Sequence, residues 1–329
     1  MRFRVTAAVS LLAVSASVAG AQGGGASANA GCTGISADAC QQAVDFFQYM
    51  APQLGTAMTG GNTTLAQGGT LGGRRFGIVP RFALGVRVNA VQGNVPNFAP
   101  AAQLPGSNPP PARELTTVNQ FVPMPAVDLA LGVFKGVPLA LSNVGGIDLL
   151  LSAAYVPKVD NDDITITPDK SLEFGYGVRV GLLQESLVVP GLGFSYMQRK
   201  FPITTLSTSE AGSSLTVRDL DLKSNAWRLT ASKSLLLFGI ALGVGQDSYK
   251  MSTTIEAQML GGNNITVPAL ESKVTRTNYF GDVSMNLLLI KLVGTVGMVS
   301  GGDIQTYNSY DTPADKSRLY GSVGVRIGL

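Results

Sequence analysis

At 329 residues, 45% of them hydrophobic, 14% charged and a formal charge of +3, the chain is too apolar and too sparsely charged for an ordinary soluble surface. It contains no histidine, which removes Ser–His nucleophiles, imidazole metal sites and histidine bases, so no enzyme, metal or cofactor is expected. Its cations form no basic tract, so nucleic acid is not expected as a partner.

Met1 to Ala21 reads as a secretory signal: Arg2 and Arg4, an apolar core from Val5 to Val18, then Ala19-Gly20-Ala21 before Gln22. Beyond it no apolar run is long enough for a membrane helix. Gln22 to Gly31 is a Gly/Ala/Ser leader. Cys32 and Cys40 are the only cysteines, and in an oxidising compartment they are expected to pair. Lipid attachment at Cys32 is the competing reading, weakened by the polar tract between it and the apolar core. Ser36 or Asp38 can cap a helix starting near Ala37. Val44, Phe47, Ala51, Leu54 and Met58 recur at helical spacing, with Phe46 and Met50 widening the stripe, and Pro52 is expected to kink or restart the helix. Such a helix either packs on a barrel mouth or plugs the lumen; spacing leaves both open. A glycine-rich stretch to Gly73 follows.

From Arg75 onward the sequence alternates at period two. Ser171 to Leu183 shows it best, with Leu172, Phe174, Tyr176, Val178, Val180 and Leu182 on one face and Glu173, Gly175, Gly177, Arg179 and Gly181 on the other. Similar stretches lie near Arg75–Val91, Pro125–Phe134, Gly146–Tyr155, Leu187–Arg199, the Trp227 region, Leu237–Asp247, the Tyr279 region, a stretch from Lys291 whose register is ambiguous, and Arg318–Leu329. The apolar sets include Leu84, Val86 and Val88, then Val188 and Phe194, then Val323, Val325 and Ile327. The opposite faces carry Arg81, Arg87, Asp128, Asp148, Glu173, Arg179, Arg228, Asp282 and Arg326, the candidate lumen residues. Long polar excursions at Asn94–Asn119, around Asp160–Asp163, Ile203–Ser214, Gly261–Asn264 and Gly301–Lys316 alternate with short turns. The acidic excursion lacks the glycine and terminal Glu of a calcium loop, so a solvated loop is expected there.

Strands of about 11 residues or longer cross a tilted bilayer, and a barrel hides lipid-facing residues one at a time among polar ones. The expectation is an all-β transmembrane antiparallel β-barrel of roughly 10–14 strands, ten favoured. A soluble sandwich would favour shorter strands and a more charged exterior. The segments are then 1–21 signal, 22–73 leader and helix, and 74–329 barrel.

The apolar C-terminal strand through Val323, Val325, Ile327 and Leu329 resembles the recognition signal of outer-membrane barrels. The order of amphipathic helix, glycine segment and GGRRFGIVPRFALGVRVNAV (Gly72–Val91) resembles a family of uncharacterised bacterial outer-membrane barrels, similar in layout to the long-chain fatty-acid transporter barrels. The resemblance implies a Gram-negative outer membrane, with barrel-assembly machinery, lipid bilayer and lipopolysaccharide as surroundings. The expected role is a passive channel or uptake barrel for small, hydrophobic molecules, with Ala37–Met58 as gate. The alternative is a non-transporting barrel that interacts through its long loops. Lumen charges of both signs are expected to pair across the interior.

Overall fold

The computed structural model describes residues 26–72, 74–75, 79–97, 109–139, 142–160, 165–210, 213–258 and 264–328. The signal segment, residues 161–163 of the acidic loop, most of the Pro-rich loop and Leu329 lie outside them. Helix α1 (Ala37–Thr59) precedes ten long strands. These are β1 (Phe82–Pro96), β2 (Thr117–Phe134), β3 (Gly146–Tyr155), β4 (Leu172–Leu183), β5 (Gly191–Lys200), β6 (Ser213–Leu235), β7 (Phe238–Gln258), β8 (Ile265–Leu287), β9 (Ile290–Ser300) and β10 (Arg318–Gly328).

Every strand pairs antiparallel with its neighbours in sequence. β10 pairs with β1, Tyr320 opposite Val91 through Gly328 opposite Ala83. The sheet therefore closes on itself as a ten-stranded barrel. Closure is the reason consecutive hairpins suffice: the ring of ten long strands leaves no edge of unpaired N–H and C=O groups, which hydrocarbon could not satisfy.

Alternation decides the two surfaces. Along β1, Leu84, Val86 and Val88 are exposed while Arg87 and Asn89 are buried. The same holds around the ring, where outward Phe174, Val296 and Val323 are 68%, 70% and 73% exposed. β9 takes a clear register, with Leu292, Val296 and Met298 outward and Val293, Thr295 and Val299 inward. No described segment covers this oily exterior, and a bilayer is the surrounding that solvates it.

Five expectations are corrected. The strand expected over Leu237–Asp247 runs on as the 21 residues of β7, and its neighbours β6 and β8 run for 23 each. The Ile203–Ser214 stretch is no plain loop, since Thr204–Glu210 pairs with β6; Ser- and Thr-rich alternation extends a ladder as readily as apolar alternation does. Likewise Asn94 and Asn119, read as loop ends, face each other in the β1–β2 ladder. Leu187 to Pro190 form the turn before β5, closed by Ser186 N donating to Val189 O at 3.0 Å. Val188 is therefore a turn residue, because Pro190 has no N–H to give the ladder. Finally, α1 runs uninterrupted through Pro52.

Candidate functional site: the occupied lumen

Helix α1 lies inside the barrel. It touches strands on several sides of the ring, β1, β2, β6, β7 and β8. An amphipathic helix on a mouth would bury one stripe; here Asp38, Gln41, Gln42, Asp45 and Gln53 are buried together with Val44, Phe47, Tyr49 and Met58. Met50 and Leu54 are partly buried and pack against the same cluster. Cys32 and Cys40 are joined by a disulfide, Cα–Cα 5.4 Å, which ties the leader to the first turn of α1.

The first turns meet the long-loop end. Asp38 pairs with Arg113 at 3.0 Å. The Asp45 carboxylate accepts from Tyr307 N at 2.9 Å, Asn308 N at 2.8 Å, Asn308 Nδ2 at 2.6 Å and Gln41 Nε2 at 3.2 Å. Midway, Gln53 exchanges two hydrogen bonds with the backbone of Asn94, receiving from its N–H at 2.9 Å and giving to its carbonyl at 3.0 Å. Such a side-chain amide imitates one rung of a ladder.

The helix ends among the lumen cations. Ala57 O accepts from Asn89 Nδ2 at 2.9 Å, Thr59 O from Arg228 Nη2 at 3.2 Å, and Gly60 O from Arg87 Nη1 at 2.6 Å. A helix leaves its last carbonyls without partners and carries partial negative charge there, so two guanidiniums satisfy both needs. Each cation is neutralised by the wall: Arg87 by Asp128 at 2.5 Å and Arg228 by Asp247 at 2.7 Å.

Residues 60–72 then cross the short-turn end. Arg179, paired with Asp148 at 2.5 Å, donates to Thr64 Oγ1 at 2.7 Å and Gln67 O at 3.1 Å. Asp148 also accepts from Leu71 N at 3.1 Å. Asp282 accepts from Ala66 N at 3.1 Å and Thr295 Oγ1 at 2.7 Å. Gly68 lies so near the wall that a Cβ on Gly193 would stand 2.2 Å from its carbonyl oxygen. That approach requires glycine at 193.

Of the nine sequence candidates, the structure brings Arg87, Asp128, Arg179, Asp148, Arg228 and Asp282 onto α1 and the segment after it. Arg326 reaches Thr64 O at 3.1 Å. Arg81 stands exposed at the rim with one bond to Leu71 O at 3.2 Å, and Glu173 is half-buried with no hydrogen bond or ion pair among the described residues. Sequence reasoning missed Asp247, Asn278, Tyr249 and Arg318. Asp247 follows Gly245, and Arg318 precedes Tyr320, at the inward parity, a signal that was available; Tyr249 lies past the expected end of its strand. No group of three or more His, Cys, Asp or Glu is placed to hold a metal among the described residues.

Asp45 makes a testable tie between α1 and the long-loop segment after β9. Burial outweighs its hydrogen bonds and pushes its pKa up to about 6. Between the ordinary carboxylate range and pH 6 the unfolded chain releases this proton before the folded one, so rising pH lowers stability across that window and not above it. Asp45→Asn is expected to be less stable than wild type at every pH, because its amide NH2 meets donors, with the gap narrowing from pH 4 to pH 6. Hydrogen exchange at the Tyr307 and Asn308 amides checks this; a gap that widens over that range refutes it.

No family model matches this chain, and no curated protein matches it. Solved structures similar to it include a deltaS2S3 mutant of TodX, described as a monoaromatic hydrocarbon channel, at 9% identity, covering 76% of this chain and 67% of that one with a TM-score of 0.31. OmpT of Vibrio cholerae gives 8% identity, 76% and 97% coverage and a TM-score of 0.22. CymD, another monoaromatic hydrocarbon channel, gives 8%, 76% and 88%, and 0.21. At scores this low the barrel assignment stands on the chain's own strand pairing and exterior.

Proposed function

We propose that this protein is a barrel of the Gram-negative outer membrane that passes small molecules when α1 withdraws, and that the arrangement described here is its shut form. The observation carrying this reading is that a separate helix fills the lumen, gripped by polar side chains, and is joined to the wall through a glycine-rich stretch at Gly60, Gly61, Gly68 and Gly69. A barrel meant only as a rigid scaffold fills its interior with wall side chains. Export by the N-terminal signal and insertion by barrel-assembly machinery belong to the same reading. So does a hydrophobic solute, as in the fatty-acid transporter layout: the apolar cluster between α1, Met251 and Ile255 would receive it once the helix leaves.

A second reading has its own support. The buried bonds from Asn89, Arg87 and Arg228 hold the C-terminal end of the helix, and those from Arg179 hold the segment after it, as a permanent filling would be held, leaving the long loops as the working surface. Planar-bilayer recording separates the two. Wild type is expected to be silent and a variant lacking residues 26–59 to conduct; if the folded deletion variant stays silent, the channel reading fails and the structural one stands.

A further inference from the structure

Three of the lumen arginines that grip the plug, Arg87, Arg179 and Arg228, are each paired with a carboxylate, whereas the cations at the short-turn mouth have no salt bridge among the described residues. Lys291 and Arg326 stand directly opposite each other across the β9–β10 ladder, both at inward positions. Like charges in directly opposed positions destabilise a sheet. Lys291 has no hydrogen bond or ion pair among the described residues, and Arg326 has only its bond to Thr64 O, at 3.1 Å. The acids whose fields reach the pair are engaged elsewhere. Glu185 accepts from Ser234 N at 2.6 Å and Ser232 Oγ at 3.0 Å. Asp282 holds Ala66 and Thr295, and Asp148 holds Arg179.

These two cations, with Arg81, line a cavity of about 350 Å³ together with Gln67, Thr70 and Gln184. Among the described residues no Asp or Glu lines it. Three cations lining one concave space that no described Asp or Glu enters form a receptor for an anion, and guanidiniums suit oxyanions through paired N–H donors. The geometry points to an oxyanion site of the phosphate or carboxylate type at the short-turn mouth, formed by Lys291, Arg326 and Arg81. The anion relieves the opposed pair, so its binding adds stability to the β9–β10 ladder. The site is independent of whether the lumen conducts.

The test uses the full protein in neutral detergent, titrated with inorganic phosphate against chloride at equal ionic strength, with Lys291→Gln and Arg326→Gln as variants. Phosphate is expected to raise the wild-type melting temperature in a saturable way. Lys291→Gln, freed of the opposed charge, is expected to melt higher than wild type in chloride and to bind phosphate about tenfold more weakly, the scale of one charged hydrogen bond. A parallel arm compares nanodiscs of phosphatidylglycerol and phosphatidylcholine without phosphate. Protection by phosphatidylglycerol alone identifies a lipid headgroup as the source of the anion and supports the site. The proposal is overturned if neither phosphate nor phosphatidylglycerol stabilises wild type, or if both variants respond as wild type does.

Discussion

Replacing Asp148 by alanine is expected to lower the stability of the barrel by about 3–5 kcal/mol, because it strands a buried guanidinium. Arg179 is 2% exposed and Asp148 is fully buried, so no water replaces the lost carboxylate. The substitution also removes the acceptor for Leu71 N and loosens Arg179, which holds Thr64 and Gln67. The loss should therefore come with a detached segment 61–72, seen as faster hydrogen exchange there and as transient openings in bilayer recordings. Denaturant unfolding in detergent measures the first part. A loss under about 1 kcal/mol, the scale of exposed pairs, would show that the pair does not organise this end of the plug.

Gly55→Leu is the second large effect, and here two terms oppose each other. Leucine in place of glycine gains about 1 kcal/mol of helix propensity. Against this, even a Cβ at Gly55 would lie 2.7 Å from the Tyr249 ring. That ring is fully buried and its hydroxyl is 3.0 Å from Thr59 Oγ1, so it has nowhere to swing. Overpacking costs about 1–3 kcal/mol for added methylenes in a settled core, and a whole leucine against a fixed ring sits at or beyond the top of that range. We expect net destabilisation, with α1 displaced from β7 and conductance raised. The pair Gly55→Leu with Tyr249→Ala should recover part of the loss, because the removed ring makes room. If Gly55→Leu alone stabilises the protein, α1 does not pack on β7 as described.

Much of this was legible in the chain because strand alternation is a local property: Leu84, Val86 and Val88 on one side and Arg87 and Asn89 on the other need no partner to be recognised. Strand number followed from counting such stretches. What spacing left open was non-local. The apolar stripe of α1 fits a mouth or a lumen equally well; its polar residues Asp45 and Gln53 decide the matter only once Asn308 and Asn94 are seen to meet them. Asp247 illustrates the same limit, since its partner Arg228 lies on the neighbouring strand and only the register of β6 against β7 pairs them. The extensions of β6, β7 and β8 escaped because their Ser, Thr and Lys residues read as loop, while backbone pairing is indifferent to that polarity.

The seam between β1 and β10 joins two strands more than 200 residues apart in the chain, and once zipped it makes a hoop around a peg. A helix as wide as α1 with its side chains has no sideways exit or entry through a sealed ladder. Enclosure must therefore precede the final zip, or the peg must slide in along the axis through one mouth.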